Sequence, residues 1–208
     1  TFGEENVGLY QLVFPVYALG ISFSCAGTEL AISRCVAQEN AAGHPEKAKE
    51  LLKTGLIFTF VLSCILTIFL QHNAHMTAIS FLHDSRCEEL LILLSYTFPF
   101  ASIHSCICGY SLGLKQTKIP AVSQLFEQTF RILFVFLFYY YRTSHQLDLS
   151  ISFAVVGLAM GEIFASCYCL YSIHHTASKQ VQNLLSASTF CIHLSRLFRH
   201  AFPLTASR

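Results

Sequence analysis

The sequence predicts an all-α protein, a polytopic transmembrane helical bundle of about five spans, and three observations carry that prediction. Of its 208 residues, 53% are hydrophobic and 12% charged, about half the charge of an ordinary water-soluble domain. The apolar residues gather in blocks close to the roughly 20 residues an α-helix needs to cross a bilayer. The connections between blocks alternate in Lys and Arg content, as the two sides of a membrane do.

The first block runs from Gly8 to Ser33 and follows Thr1 to Asn6, which carries two glutamates and no basic residue, so the start is placed outside. Arg34, Lys47, Lys49 and Lys53 come next and mark the cytoplasmic side before the second block, Gly55 to Gln71. Arg86 is the one basic residue of the connection to the third block, Leu90 to Gly113. Lys115 and Lys118 return the chain to the inside, and the fourth block, Ile119 to Tyr141, carries it out to Arg142. The fifth block, Ile151 to Ile173, ends before Lys179, Arg196 and Arg199, so the C-terminus is cytoplasmic. The order is out, in, out, in, out, in. Pro15 and Pro99 lie inside blocks, where a missing backbone donor bends a helix. Ser105, Gly109 and Gly113, and Gly157, Gly161 and Ala165, are small residues at four-residue spacing and predict close helix contacts.

The chain starts without Met or a signal segment. At its other end, Phe190 to Arg208 reads as an amphipathic basic approach to a further membrane helix. It therefore reads as a fragment, with residues 1–173 forming membrane helices and 174–208 a cytoplasmic linker.

Several function classes are disfavoured by composition. A net charge of +1, with the basic residues explained by topology, argues against a nucleic-acid partner. Nine cysteines without a C-x-x-C pair, among them Cys25, Cys64, Cys106, Cys108, Cys167 and Cys169 inside blocks, read as small packing residues. Of ten histidines, His72, His75 and His83 fall outside while His174 and His175 fall inside, so one metal ion cannot bind both groups. They read as solvated loop residues, and neither a metal nor a cofactor is expected. No clustered catalytic constellation stands on one membrane face, so an enzyme is not expected.

Gly109 to Arg131, GYSLGLKQTKIPAVSQLFEQTFR, is the most informative stretch. Ser123, Gln124, Glu127, Gln128 and Arg131 share one helical face within an apolar block. A charge at the bilayer centre costs roughly 2.5–3.5 kcal/mol on insertion scales, so such residues face a protein interior or a cavity. Glu127 and Arg131, four apart, can also neutralise each other on the helix surface, which leaves the amides of Gln124 and Gln128 to be explained. Glu29 and Glu162 are further carboxylates at membrane depth or its margin, open to roles as proton or ion sites or as partners of Arg34 or Arg131.

Gly3 to Pro15, GEENVGLYQLVFP, with Gly27, Ala31, Ile32, Ser33, Arg34, Val36 and Ala37, resembles the opening of the stage V sporulation protein B family of oligosaccharide-lipid flippase relatives. That superfamily includes the multidrug and toxic-compound extrusion transporters. The resemblance continues through Gly109-Tyr110, Gly113, Ala121, the run Ser123-Gln124, Glu127-Gln128 and Arg131, then Gly161-Glu162, and Pro203, Thr205 and Ser207-Arg208. It implies a two-half transporter of which this chain would hold most of the N-terminal half, helices two to six and the approach to the seventh.

The resemblance also implies movement of a polyprenyl-pyrophosphate-linked oligosaccharide or peptidoglycan precursor across the bacterial cell membrane by alternating access. Lipid-linked glycan, membrane lipids and cell-wall synthesis proteins would be the partners. Gln124, Glu127, Gln128 and Arg131 would line the cavity, Arg34 would gather the anionic head at the inner entrance, and Glu29 and Glu162 would couple transport to protons or ions. One alternative is a cation-coupled drug or metabolite antiporter with an aromatic, low-charge cavity. Another is a non-transporting scaffold for envelope assembly.

Overall fold

A computed structural model describes residues 4–144 and 152–177. Lys179, Arg196, Arg199 and the basic segment from Phe190 onward lie outside the described residues, as do the side chains of Arg142 and His175. Among the described residues there is no strand. Eight α-helical segments run as α1 (Glu4–Ile21), α2 (Gly27–Ala41), α3 (Pro45–His72), α4 (Ala74–Ser80), α5 (Cys87–Ser95), α6 (Thr97–Gly113), α7 (Lys118–Ser144) and α8 (Ser152–Ala177), with a π-helical turn at Ser22–Ala26 joining α1 to α2.

Five stretches are long and apolar enough to cross a membrane: Gly8–Ala41, Pro45–His72, Cys87–Gly113, Lys118–Tyr141 and Phe153–His174. Each contains or overlaps one predicted block, and the molecule is a multi-pass helical bundle. The first two run well past the predicted ends. A helix of 34 residues is about 50 Å long, against a hydrocarbon core of about 30 Å. Hydropathy marks only the part that lipid would cover, whereas backbone hydrogen bonding carries the helices on through good helix formers such as Glu46, Lys47 and Lys49. A tight turn reverses the chain between them. Gly43 takes φ +76°, His44 N–H donates to the Glu39 carbonyl at 3.0 Å, and Pro45 opens α3 at a position whose N–H would have no helical partner.

Pro99 acts through its missing N–H. The carbonyl one turn back, at Ser95, loses its helical donor, and α5 gives way to α6 at Tyr96. The Thr67 hydroxyl of α3 donates to that Ser95 carbonyl at 3.0 Å. Thr67 belongs to a ladder at four-residue spacing on α3, in which Thr59 bonds the Gly55 carbonyl at 2.9 Å, Ser63 meets Ser102 at 3.1 Å, and Gln71 donates to Ser95 Oγ at 3.0 Å. Each hydroxyl is satisfied inside the protein, as lipid surroundings demand.

Both sets of small residues form close contacts. A Cβ on Gly109 would lie 2.6 Å from the Glu29 carbonyl oxygen, and one on Gly113 would lie 2.7 Å from that of Ser33, so α6 packs directly on the α2 backbone. A Cβ on Gly161 would lie 2.8 Å from the Glu127 carbonyl oxygen, which seats α8 on α7. The α7–α8 seam is completed by stacked rings: Phe130 on Phe164 at 4.0 Å, Phe138 on Phe153 at 3.9 Å, and Phe126 on Tyr168 at 5.0 Å.

The core divides in two. One apolar cluster joins Leu9, Val13, Tyr17, Leu91, Leu94, Phe98, Val155 and Leu158. The other joins Ala31, Ile32, Val36, Leu51, Ile107 and Cys169. Along α1–α2, α6 and α8, the residues between the clusters carry the polar groups.

Candidate functional site

That intermediate layer encloses a cavity of about 260 Å³ whose lining includes Cys25, Glu29, His104, Cys108, Gln124, Glu127 and Glu162. The π-helical turn brings Ile21, Cys25 and Glu29 to one wall. An extra residue in one helical turn loosens the regular carbonyl ladder, and hydroxyls take up the slack. Thr28 donates to the Cys25 carbonyl at 2.8 Å, Ser24 to that of Gly20 at 3.0 Å, and Ser105 of α6 reaches the Cys25 carbonyl at 3.3 Å and Glu29 Oε2 at 3.2 Å.

His104 is the hub of the site. Its Nδ1 faces Glu162 Oε2 at 3.3 Å and its Nε2 faces Ser123 Oγ at 3.0 Å, so one imidazole joins α6, α8 and α7. Ser123 Oγ donates to the Pro120 carbonyl at 2.9 Å, which makes Nε2–H the donor to Ser123. Nδ1 and Glu162 Oε2 are close enough to share a proton.

On α7, Glu127 and Arg131 form an ion pair one turn apart, with 13% and 29% of their side chains exposed. Gln128 Oε1 accepts from Arg131 Nη1 at 3.4 Å. Arg131 Nε is buried and has no hydrogen-bond partner, an unusual state for a buried donor.

The predicted stripe therefore splits. Ser123 is buried, Glu127 and Gln124 line the cavity, and neither the exposed Gln128 nor Arg131 is part of the lining. Glu29 and Glu162 both reach the cavity. Glu162 is 8% exposed and takes His104 as its close partner, where the sequence reading had left Arg34 and Arg131 open. Arg34 is exposed on α2 and does not line the cavity.

Of the histidines expected in loops, His75 lies on α4, and its Nδ1 meets Glu88 Oε2 at 2.8 Å, a carboxylate companion that no short sequence spacing shows. Sequence reasoning missed His104 altogether. One signal was present: of ten histidines it is the one that falls inside a predicted span. Two sets of potential ligand atoms also converge here, His104 with Cys108 and Cys169, and His104 with Glu127 and Glu162, each within 4.8 Å of one another.

Stage V sporulation protein B of Bacillus subtilis (strain 168) is 28% identical over 208 residues, which is 99% of this chain and 40% of that protein. Sporulation protein YkvU of the same organism is 22% identical over 82% of this chain and 36% of its own length. The protein named lipid II flippase MurJ, also from B. subtilis, is 27% identical over 64% of this chain and 26% of its own length. The chain thus spans two fifths or less of the curated relatives it matches. No solved structure matches it. The family model described as polysaccharide biosynthesis protein matches residues 1–208, and with five membrane-length helices arranged around a polar layer the chain belongs to that family.

Proposed function

We propose that this chain forms part of a flippase that moves a polyprenyl-pyrophosphate-linked oligosaccharide or peptidoglycan precursor across the bacterial cytoplasmic membrane by alternating access. The observation that carries the reading is Arg131, a cation at membrane depth whose Nε–H is buried without a partner and which pairs with Glu127 in the wall of a cavity lined by three carboxylates and the Gln124 amide. An uncommitted guanidinium donor suits a phosphate oxygen. Family membership, and a relative named as a lipid II flippase, support the substrate class.

The site's charge divides the labour. Three carboxylates, Glu29, Glu127 and Glu162, line the cavity, and bare carboxylates repel pyrophosphate. In this reading Glu127 orients Arg131, Gln124 and Gln128 offer amides to sugar hydroxyls, and Glu29 and Glu162 bind the coupling cation. Arg34, exposed beyond the cavity, gathers the anionic head at the inner entrance. At about 260 Å³ the cavity is smaller than the roughly 300–1,000 Å³ of pockets that hold drug-sized ligands. It fits one phosphate or sugar unit, and the exposed amide of Gln128 extends the polar surface outward. Among the described residues the lining contains no Phe, Tyr or Trp; the α7 and α8 rings stack on one another instead. That arrangement favours a polar headgroup over an aromatic drug.

The test is transbilayer movement of a fluorescent polyprenyl-pyrophosphate glycan in proteoliposomes holding the full-length protein. Arg131→Ala removes a charge-assisted bond worth about 1.5–3 kcal/mol, and the rate is expected to fall about tenfold or more. Glu127→Gln is expected to slow movement less. Wild-type protein that moves no lipid-linked glycan overturns the reading, and an Arg131→Ala rate equal to wild type removes Arg131 from it.

A further inference from the structure

We propose that His104, Cys108 and Cys169 form a binding site for a thiophilic d10 cation, Zn²⁺, tying the third span to the fifth. Nothing in the transport reading uses the two thiols, and the site stands or falls independently of what the protein carries.

The placement follows from helix geometry. His104 and Cys108 are one turn apart on α6 and so share a face, while Cys169 arrives from α8. An imidazole nitrogen and both sulphurs lie within 4.8 Å of one another. Around a tetrahedral Zn²⁺ with ligands at about 2.0 and 2.3 Å such atoms stand roughly 3.5–3.8 Å apart, so closure needs only about 1 Å of side-chain movement. The thiols are enclosed, with Cys108 7% exposed and Cys169 0%.

A bound ion requires its histidine to be oriented from the far nitrogen. Glu162 at 3.3 Å from Nδ1 meets that need and leaves Nε2 turned to Ser123, whose Oγ is 3.6 Å from Cys108 Sγ. Two thiolates neutralise a divalent ion, which suits a low-dielectric interior. The competing set of His104, Glu127 and Glu162 is weaker, because Glu127 is held by Arg131 and Glu162 already faces Nδ1. Binding releases the two thiol protons and the Nε2 proton and leaves Nδ1–H donating to Glu162. The fourth position is open to a water or an oxygen ligand.

The experiment uses the full-length protein in detergent, purified through a tag without histidine, stripped of metal and titrated with Co²⁺ as a spectroscopic stand-in. One Co²⁺ per chain is expected, with thiolate-to-cobalt charge transfer in the near ultraviolet and tetrahedral bands in the visible, both abolished by Zn²⁺. Cys108→Ser and Cys169→Ser should each bind at least tenfold more weakly and lose charge-transfer intensity, while Cys64→Ser and Cys167→Ser keep it. Wild type without these bands, or bands that survive both Cys108→Ser and Cys169→Ser, overturns the site. Should either variant fail to fold, X-ray absorption of the Zn²⁺-loaded wild type decides. Two sulphurs at about 2.3 Å and a nitrogen at about 2.0 Å support the site; a shell of nitrogen and oxygen alone, or recovery of Cys108 and Cys169 as a disulfide, overturns it.

Discussion

The third and fourth spans solve the same problem in different ways. In the third, Cys87–Gly113, 56% of the apolar stretch is buried within the chain; in the fourth, Lys118–Tyr141, the share is 6%. The third span is rich in small polar groups, Ser95, Ser102, Ser105, Cys106 and Cys108, each close to a neighbouring helix, and its one imidazole is held by Glu162 and Ser123. The fourth carries full charges, yet its Glu127 finds Arg131 on its own helix, and its tertiary anchorage rests mainly on α8 through Gly161 and the ring stack. A polar group inside a membrane bundle is tolerated when its partner is built in. The central span takes its partners from other helices and the edge span from itself, so the first depends on tertiary structure and the second much less.

The sharpest way to break this contrast is to remove a partner. Glu162→Leu strands His104 in a nearly closed site, and loss of one member of a buried pair costs about 3–5 kcal/mol. Glu127→Gln leaves Arg131, with 29% of its side chain exposed, and should cost under about 1 kcal/mol. Thermal unfolding of the full-length protein in detergent measures both, and equal losses would dissolve the distinction. In the double variant His104→Leu/Glu162→Leu much of the loss should return, because no stranded group remains.

Packing should show the same asymmetry. Gly109→Ala drives a Cβ into the backbone carbonyl of Glu29, which cannot swing aside, and should cost up to about 3 kcal/mol. Gly157→Ala meets Val135 Cγ2 at 2.6 Å, a side chain that can rotate, and about 1 kcal/mol is expected. Unfolding midpoints of the two variants, compared side by side, check the order.

A smaller effect tests the Pro99 bend. Thr67→Val keeps the shape but removes the donor to the Ser95 carbonyl, at about 1 kcal/mol. In a Pro99→Ala background the restored N–H can serve that carbonyl, so the same substitution should then cost little.

Outside the membrane the effects should be smallest. Arg86 beside Asp84, through side-chain and backbone hydrogen bonds, holds the Asp84 carboxyl below its ordinary value. A depressed carboxylate contributes above its unfolded value and loses that contribution as pH falls through the folded one. The bond should therefore persist at neutral and mildly acidic pH and fail only under stronger acid. Arg86→Ala removes the side-chain bonds and keeps the backbone one, so the Asp84 titration, followed by carbon-detected NMR, should rise part of the way to the usual range without moving the helical bundle.

Much of the fold was legible because membrane helices announce themselves locally. Apolar blocks gave five spans, small residues four apart marked the α6 and α8 contact faces, and the spacing of Gln124 and Glu127 placed both on the cavity side of α7. The site was legible in part. Glu29, Gln124, Glu127 and Glu162 were singled out and do line one cavity, whereas Gln128, Arg131 and Arg34 do not. His104 went unread because nothing within a helical turn of it signals a partner carboxylate.

The boundary between what the sequence determined and what only tertiary structure decided follows the range of the forces involved. Helix formation, the number of spans and the small-residue contact faces depend on residues three or four apart, and the sequence alone determined them. The pairing of His104 with Glu162 spans 58 positions, and that of Ser105 with Glu29 spans 76. Contacts at such separations exist only once α2, α6 and α8 have packed, because glycine faces let the backbones approach closely enough for short polar side chains to meet between them.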